Sequence, residues 1–168
     1  MTVGLALAAC LAASYYDVRW RRIPNWLTAL TAVTAIVVHA FFGWASLGLT
    51  LAVMAVLTLA GAFVYSRGGI GGGDIKLAVA ASGLLGYPLC VPFLLYTAIA
   101  GGLLALLFLT FRRNARASVS RVVSMAFVGM QPTAGDKSET LPYAVAFTLG
   151  AIVIALSQSV VPSLRIML

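Results

Sequence analysis

Acidic residues are scarce in this chain. Its 168 residues include four of them, against 11 lysines and arginines, and charged side chains of either sign make up only 9% of the sequence. A water-soluble domain carries roughly 25% charged residues, so water is excluded as the main solvent around this protein. Cysteine is sparser still. Cys10 and Cys90 both fall in apolar stretches, and there is no Cys-x-x-Cys pair or Cys/His cluster. That excludes a structural zinc centre and leaves two buried thiols. The one histidine, His39, has no ligand-type neighbour and is expected to be structural or solvated. The glycine-rich stretch before Asp74 lacks a following Gly-Lys-Ser/Thr, and an aspartate at the helix start would repel phosphate; both exclude a nucleotide loop. No repeat or low-complexity tail is present. Neither metal nor cofactor is expected.

What the chain does hold is apolar surface, 62% hydrophobic residues with a mean hydropathy of +1.04. Crossing about 30 Å of hydrocarbon takes about 20 apolar residues per helix. The expected fold is therefore all-α, a polytopic integral membrane bundle of about six transmembrane helices, with residues 1–168 forming a single membrane-embedded domain. Residues 2–17 make a first apolar run ending at Tyr15-Tyr16-Asp17. No basic segment precedes it, and it is expected to be a retained helix rather than a cleaved signal. Ile23-Pro24 reads as the turn into a second span, about 25–43, because proline suits the first turn of a helix and disfavours helical backbone before it. Further spans are expected to about Tyr65, over about 75–87, about 89–111 and about 141–161. Between the last two, Val119, Val122, Val123, Ala126, Phe127 and Met130 recur at helical spacing, as in a helix lying on the membrane surface, and Pro132 to Thr140 read as a loop. Trp20, Trp26 and Trp44 fall at expected membrane boundaries, where tryptophan anchors.

The net charge of +7 would suggest nucleic acid in a soluble protein, but these basic residues cluster between apolar runs, and no nucleic-acid partner is expected. With alternating spans, Arg19, Arg21, Arg22, Arg67, Arg112, Arg113, Arg116, Arg121 and Lys137 fall on one side, with Lys76 at its edge. The positive-inside rule makes that side cytoplasmic and places both termini outside. The same alternation carries the first span down to Asp17 and starts the fourth at Asp74. Two of the four carboxylates, 57 positions apart, thus meet one membrane boundary; Asp136 and Glu139 are loop charges.

A carboxylate at that depth is costly unless paired, hydrated or useful. Singly, Asp17 reads as an ion-pair partner for Arg19, Arg21 or Arg22, and Asp74 as a helix N-cap. Together they supply what an aspartic protease needs, one ionised carboxylate to take a proton from water and one protonated carboxyl to hydrogen-bond the scissile carbonyl. Gly68 to Gly73 would admit an extended peptide or flex as a gate.

Three segments carry a resemblance. Asp17-Val-Arg-Trp-Arg-Arg-Ile23-Pro24-Asn25 resembles the first signature of type IV prepilin peptidases, Gly71-Gly72-Gly73-Asp74-Ile75-Lys76 their Gly-x-Gly-Asp motif, and Leu141-Pro142-Tyr143-Ala144-Val145-Ala146 their final-helix motif. The resemblance implies a peptidase removing the basic leader of membrane-anchored pilin precursors at the cytoplasmic face of the bacterial inner membrane. By carry-over Asp17 and Asp74 are catalytic, Gly71 and Gly73 shape the site, Lys76 lies close to it, and Pro142 positions the last span; these four are the expected substrate-binding residues. The chain has no paired Cys-x-x-Cys region and no S-adenosylmethionine site, so it resembles the short, peptidase-only forms of tight-adherence (Flp-type) pili, without methyltransferase activity.

Two other readings compete. Tyr16-Asp17 with Gly-x-Gly-Asp resembles presenilin-type intramembrane proteases, but Ile-Pro-Asn and the missing Pro-Ala-Leu argue against them. A small proton-coupled transporter would place its carboxylates near the bilayer midplane, often within repeats, and neither feature is present.

Overall fold

The computed structural model describes residues 1–67, 71–111 and 143–160. They form six helices, α1 (Thr2–Trp20), α2 (Asn25–Phe41), α3 (Trp44–Ser66), α4 (Gly72–Leu85), α5 (Cys90–Phe111) and α6 (Ala144–Val160), and among the described residues there is no strand. The expected surface helix, the 132–140 loop, residues 68–70 and Pro142 lie outside the described residues.

The shortest of these helices sits at the centre. α4 packs against all five others, with α2 and α3 on one flank and α1, α5 and α6 on the other. Its sequence explains the position. Leu77, Ala80, Ala81, Ser82, Gly83, Leu84 and Leu85 are all buried, and the run of small side chains lets neighbouring backbones approach. A methyl group at Gly83 would stand only 2.8 Å from Met54 of α3. Lipid is as apolar as leucine, so close packing of this kind, rather than expulsion of water, holds helices together in a membrane.

The outer helices show the converse pattern. α3 buries Thr50 alone and turns Leu49, Leu51, Val56, Leu59 and Phe63 outward, and α5 does the same with Leu95, Ile99, Leu103 and Leu106. Exposed apolar surface on that scale is untenable in water. α3 and α5 are each long and apolar enough to cross a bilayer. The chain is a membrane protein, built as an all-helical bundle.

Helix boundaries depart from hydropathy at the polar ends. α1 does not stop at Asp17 but runs one turn further, to Trp20, and closes when Arg21 turns left-handed (φ 54°) and its N–H donates to the Asp17 carbonyl at 2.8 Å. Helical hydrogen bonding needs no apolar side chains, so the helix continues past the end of the hydrophobic run until the approach to Pro24 stops it. α4 likewise begins at Gly72, three residues before its apolar stretch, and ends at Gly86 (φ 71°), just before a cis Tyr87–Pro88 bond.

His39 lies at the end of α2 remote from Asn25, buried as a structural residue. Its Nδ1 meets Ser46 Oγ at 2.8 Å and its Nε2 the Leu84 carbonyl at 3.3 Å, so one ring ties α2 to the start of α3 and the end of α4. The ring also lies over Gly86, where a methyl group would come within 2.6 Å of it.

Candidate active site

Asp17 occupies the last turn of α1 and Asp74 the first turn of α4, and both are half-buried. α1 and α4 pack together, which brings the two aspartates to the same end of the bundle. The consequence is electrostatic. Asp74 stands ahead of the apolar part of α4, and its carboxyl is pushed up from 3.8 to about 6, first by burial and second by the negative charge of Asp17. Asp74 therefore holds its proton to a higher pH than an ordinary carboxyl does.

Each aspartate has a defined setting. The Asp17 carboxylate accepts a hydrogen bond from the Ala144 N–H, 3.2 Å away, at the first residue of α6. That N–H is one of the donors a helix start leaves without an internal partner, and the helix dipole favours a negative group there. Asp74 is not an N-cap. Gly71 caps α4, and Asp74 follows in the third helical position, its N–H bonded to the Gly71 carbonyl at 3.1 Å. Gly72 and Gly73 take helical backbone, so the helix starts earlier than the apolar run indicated. The carboxylate lies back over Gly71, where any side chain would begin 3.0 Å from Asp74 Oδ2. Gly73 faces Ile23 across the gap between α4 and the α1–α2 turn, with room for van der Waals contact at 3.5 Å.

Lys76 is exposed, and its ammonium donates to Asn25 Oδ1 at 2.9 Å. The three sequence motifs are therefore one connected structure. Ile23 and Asn25 of the first meet Gly73 and Lys76 of the second, and Asp17 of the first meets Ala144 of the third. Neither contact partner, Asn25 nor the Ala144 N–H, stands out in the sequence by its own chemistry; Asn25 is signalled by its place in the motif that carries Asp17, and Ala144 by its place in the final-helix motif. An aromatic group completes this end. Tyr16 stacks on Trp20 at 5.1 Å and meets Trp26 edge-on at 6.0 Å, joining the last turn of α1 to the first of α2. Trp20 and Trp26 remain more than half exposed, as boundary anchors would be. Among the described residues no three His, Cys, Asp or Glu side chains converge as metal ligands.

Comparison with protein families matches residues 4–106 to the type IV leader peptidase family, a span that includes both aspartates. The match covers more than half of the chain. The protein belongs to the type IV leader peptidase family. A type IV leader peptidase is a hydrolase of peptide bonds, and both aspartates lie within the matched span. Comparison with curated proteins and with solved structures gives no significant match.

Proposed function

We propose that this leader peptidase is an aspartic endopeptidase that removes the basic leader from type IV prepilins of the Flp type. In this reading it acts as one multi-pass domain in the bacterial inner membrane, with its site at the cytoplasmic face. The supporting observation is the pair itself: two aspartates 57 positions apart share one end of the bundle, where burial first and the charge of Asp17 second raise the Asp74 carboxyl. With one proton on the pair, the ionised carboxylate takes a proton from water as it attacks the scissile carbonyl. The protonated partner hydrogen-bonds the carbonyl oxygen, stabilises the charge that develops there, and then supplies the leaving amine with a proton. Gly71 and Gly73 keep side chains away from the approach to the pair, and Lys76 stands at its rim.

Position supports the substrate class. A prepilin is anchored in the same membrane by its hydrophobic helix, so lateral diffusion delivers the leader junction to a site at the boundary. The test is co-expression with a Flp-type prepilin in membranes, following leader removal by mass. The expected product is the mature pilin with the leader cut just ahead of the hydrophobic helix. An intact prepilin, with both proteins folded and several pilins tried, would overturn the substrate assignment.

A further inference from the structure

We infer that Asn25 is a positioning residue for the Asp17/Asp74 pair, acting through its hydrogen bond to Lys76. The inference rests on the proposed carboxylate pair and adds the part that sets its spacing.

Asn25 is the first residue of α2, and the chain between it and Asp17 is short and stiff. Arg21 is locked in the left-handed region with its N–H on the Asp17 carbonyl at 2.8 Å, and Pro24 holds extended backbone (φ −64°, ψ 134°) at the entry to α2. The Tyr16, Trp20 and Trp26 rings brace the same turn. Asn25 therefore moves with Asp17. On the other side, Lys76 is two residues beyond Asp74, within the same helical turn of α4, and moves with Asp74. The 2.9 Å bond from Lys76 Nζ to Asn25 Oδ1 joins the two bodies directly, where the intervening chain runs through all of α2 and α3. Ile23 against Gly73 sets how closely they approach, but an apolar contact slides, whereas a directed hydrogen bond fixes register.

The chemistry needs such a device. A carboxylate pair works only at a separation that lets it share a proton and hold one water, and misplacement by about 1 Å costs on the order of a hundredfold in rate. The bond itself is exposed, so its contribution to overall stability is small. Loss of Asn25 should therefore be felt in turnover and not in folding.

Two measurements decide it. In proteoliposomes, N25A is expected to lower kcat by about tenfold or more with KM within about twofold of wild type, and the N25A/K76M double variant to be no worse than K76M alone. A rise in KM with kcat unchanged would overturn the inference and make this pair a substrate contact. Additive losses would overturn it too, since they would show that the two residues act separately. The second measurement needs no substrate. In a C10A/C90A background, the D17C/D74C variant is oxidised in membranes and the rate of cross-linking is followed. Adding N25A is expected to slow that rate several-fold, and an unchanged rate would overturn the inference even if cleavage were lost. Failure of the parent reading looks different: turnover by D17N or D74N removes the pair's catalytic role and leaves the cross-linking result to judge the geometry.

Discussion

Asp74 is a residue held where its charged form is disfavoured, and that has a measurable sign. Its carboxyl is raised from 3.8 to about 6 by burial and by Asp17, so the folded protein binds this proton more tightly than the unfolded chain does. The linked stability is greatest below about pH 4, falls as pH rises toward about 6, and then levels. Substituting D74N removes the buried charge and with it this pH dependence. The unfolding temperature of D74N in detergent is expected to exceed that of wild type by a few degrees at pH 8, and the gap to close at pH 4. A gap of equal size at both would show that Asp74 does not titrate in this way. D17N bears on the second cause: without the neighbouring charge the Asp74 carboxyl should titrate lower, yet stay above its ordinary value because burial is the larger cause. Infrared titration of the carboxyl band reads that shift directly.

At the scale of elements, the site depends on how α4 is seated. A methyl group at Gly61 of α3 would collide with Cγ2 of Ile75, the residue after Asp74, whereas Gly48 on the same helix has nothing within 4 Å. G61A is therefore expected to push the first turn of α4 outward, with loss of cleavage and a destabilisation of about 1–3 kcal/mol. G48A should be silent in both thermal unfolding and cleavage; equal effects would refute the seating argument. The elements also show what was legible in the sequence and why. Hydropathy located all six described helices, and α5 matches its apolar run closely, because apolar runs mark where lipid is. It mistook the polar ends. The turn from Val18 to Trp20 and the glycines at 72 and 73 are helical although they lie outside the apolar runs, since backbone hydrogen bonding carries a helix past its apolar segment. For the same reason Asp74 read as an N-cap when Gly71 has that place.

At the scale of the whole molecule, alternation of spans was enough to bring Asp17 and Asp74 to one end of the bundle. The contacts around the pair were beyond reach, because Asn25, Ile23 and the Ala144 N–H come to it through packing between α1, α2, α4 and α6 rather than through distinctive chemistry of their own. With catalysis proposed as the work of two carboxylates alone, cleavage is expected to be unaffected by a strong chelator; inhibition reversed by zinc would contradict that. The most direct measurement is single-turnover cleavage of a Flp-type prepilin by wild-type, D17N and D74N protein purified into liposomes, each checked for insertion and accumulation. The expected result is leader removal by wild type and none by either variant. Substantial turnover by D17N or D74N would contradict the carboxylate-pair mechanism, and would place the water-activating group elsewhere in the bundle.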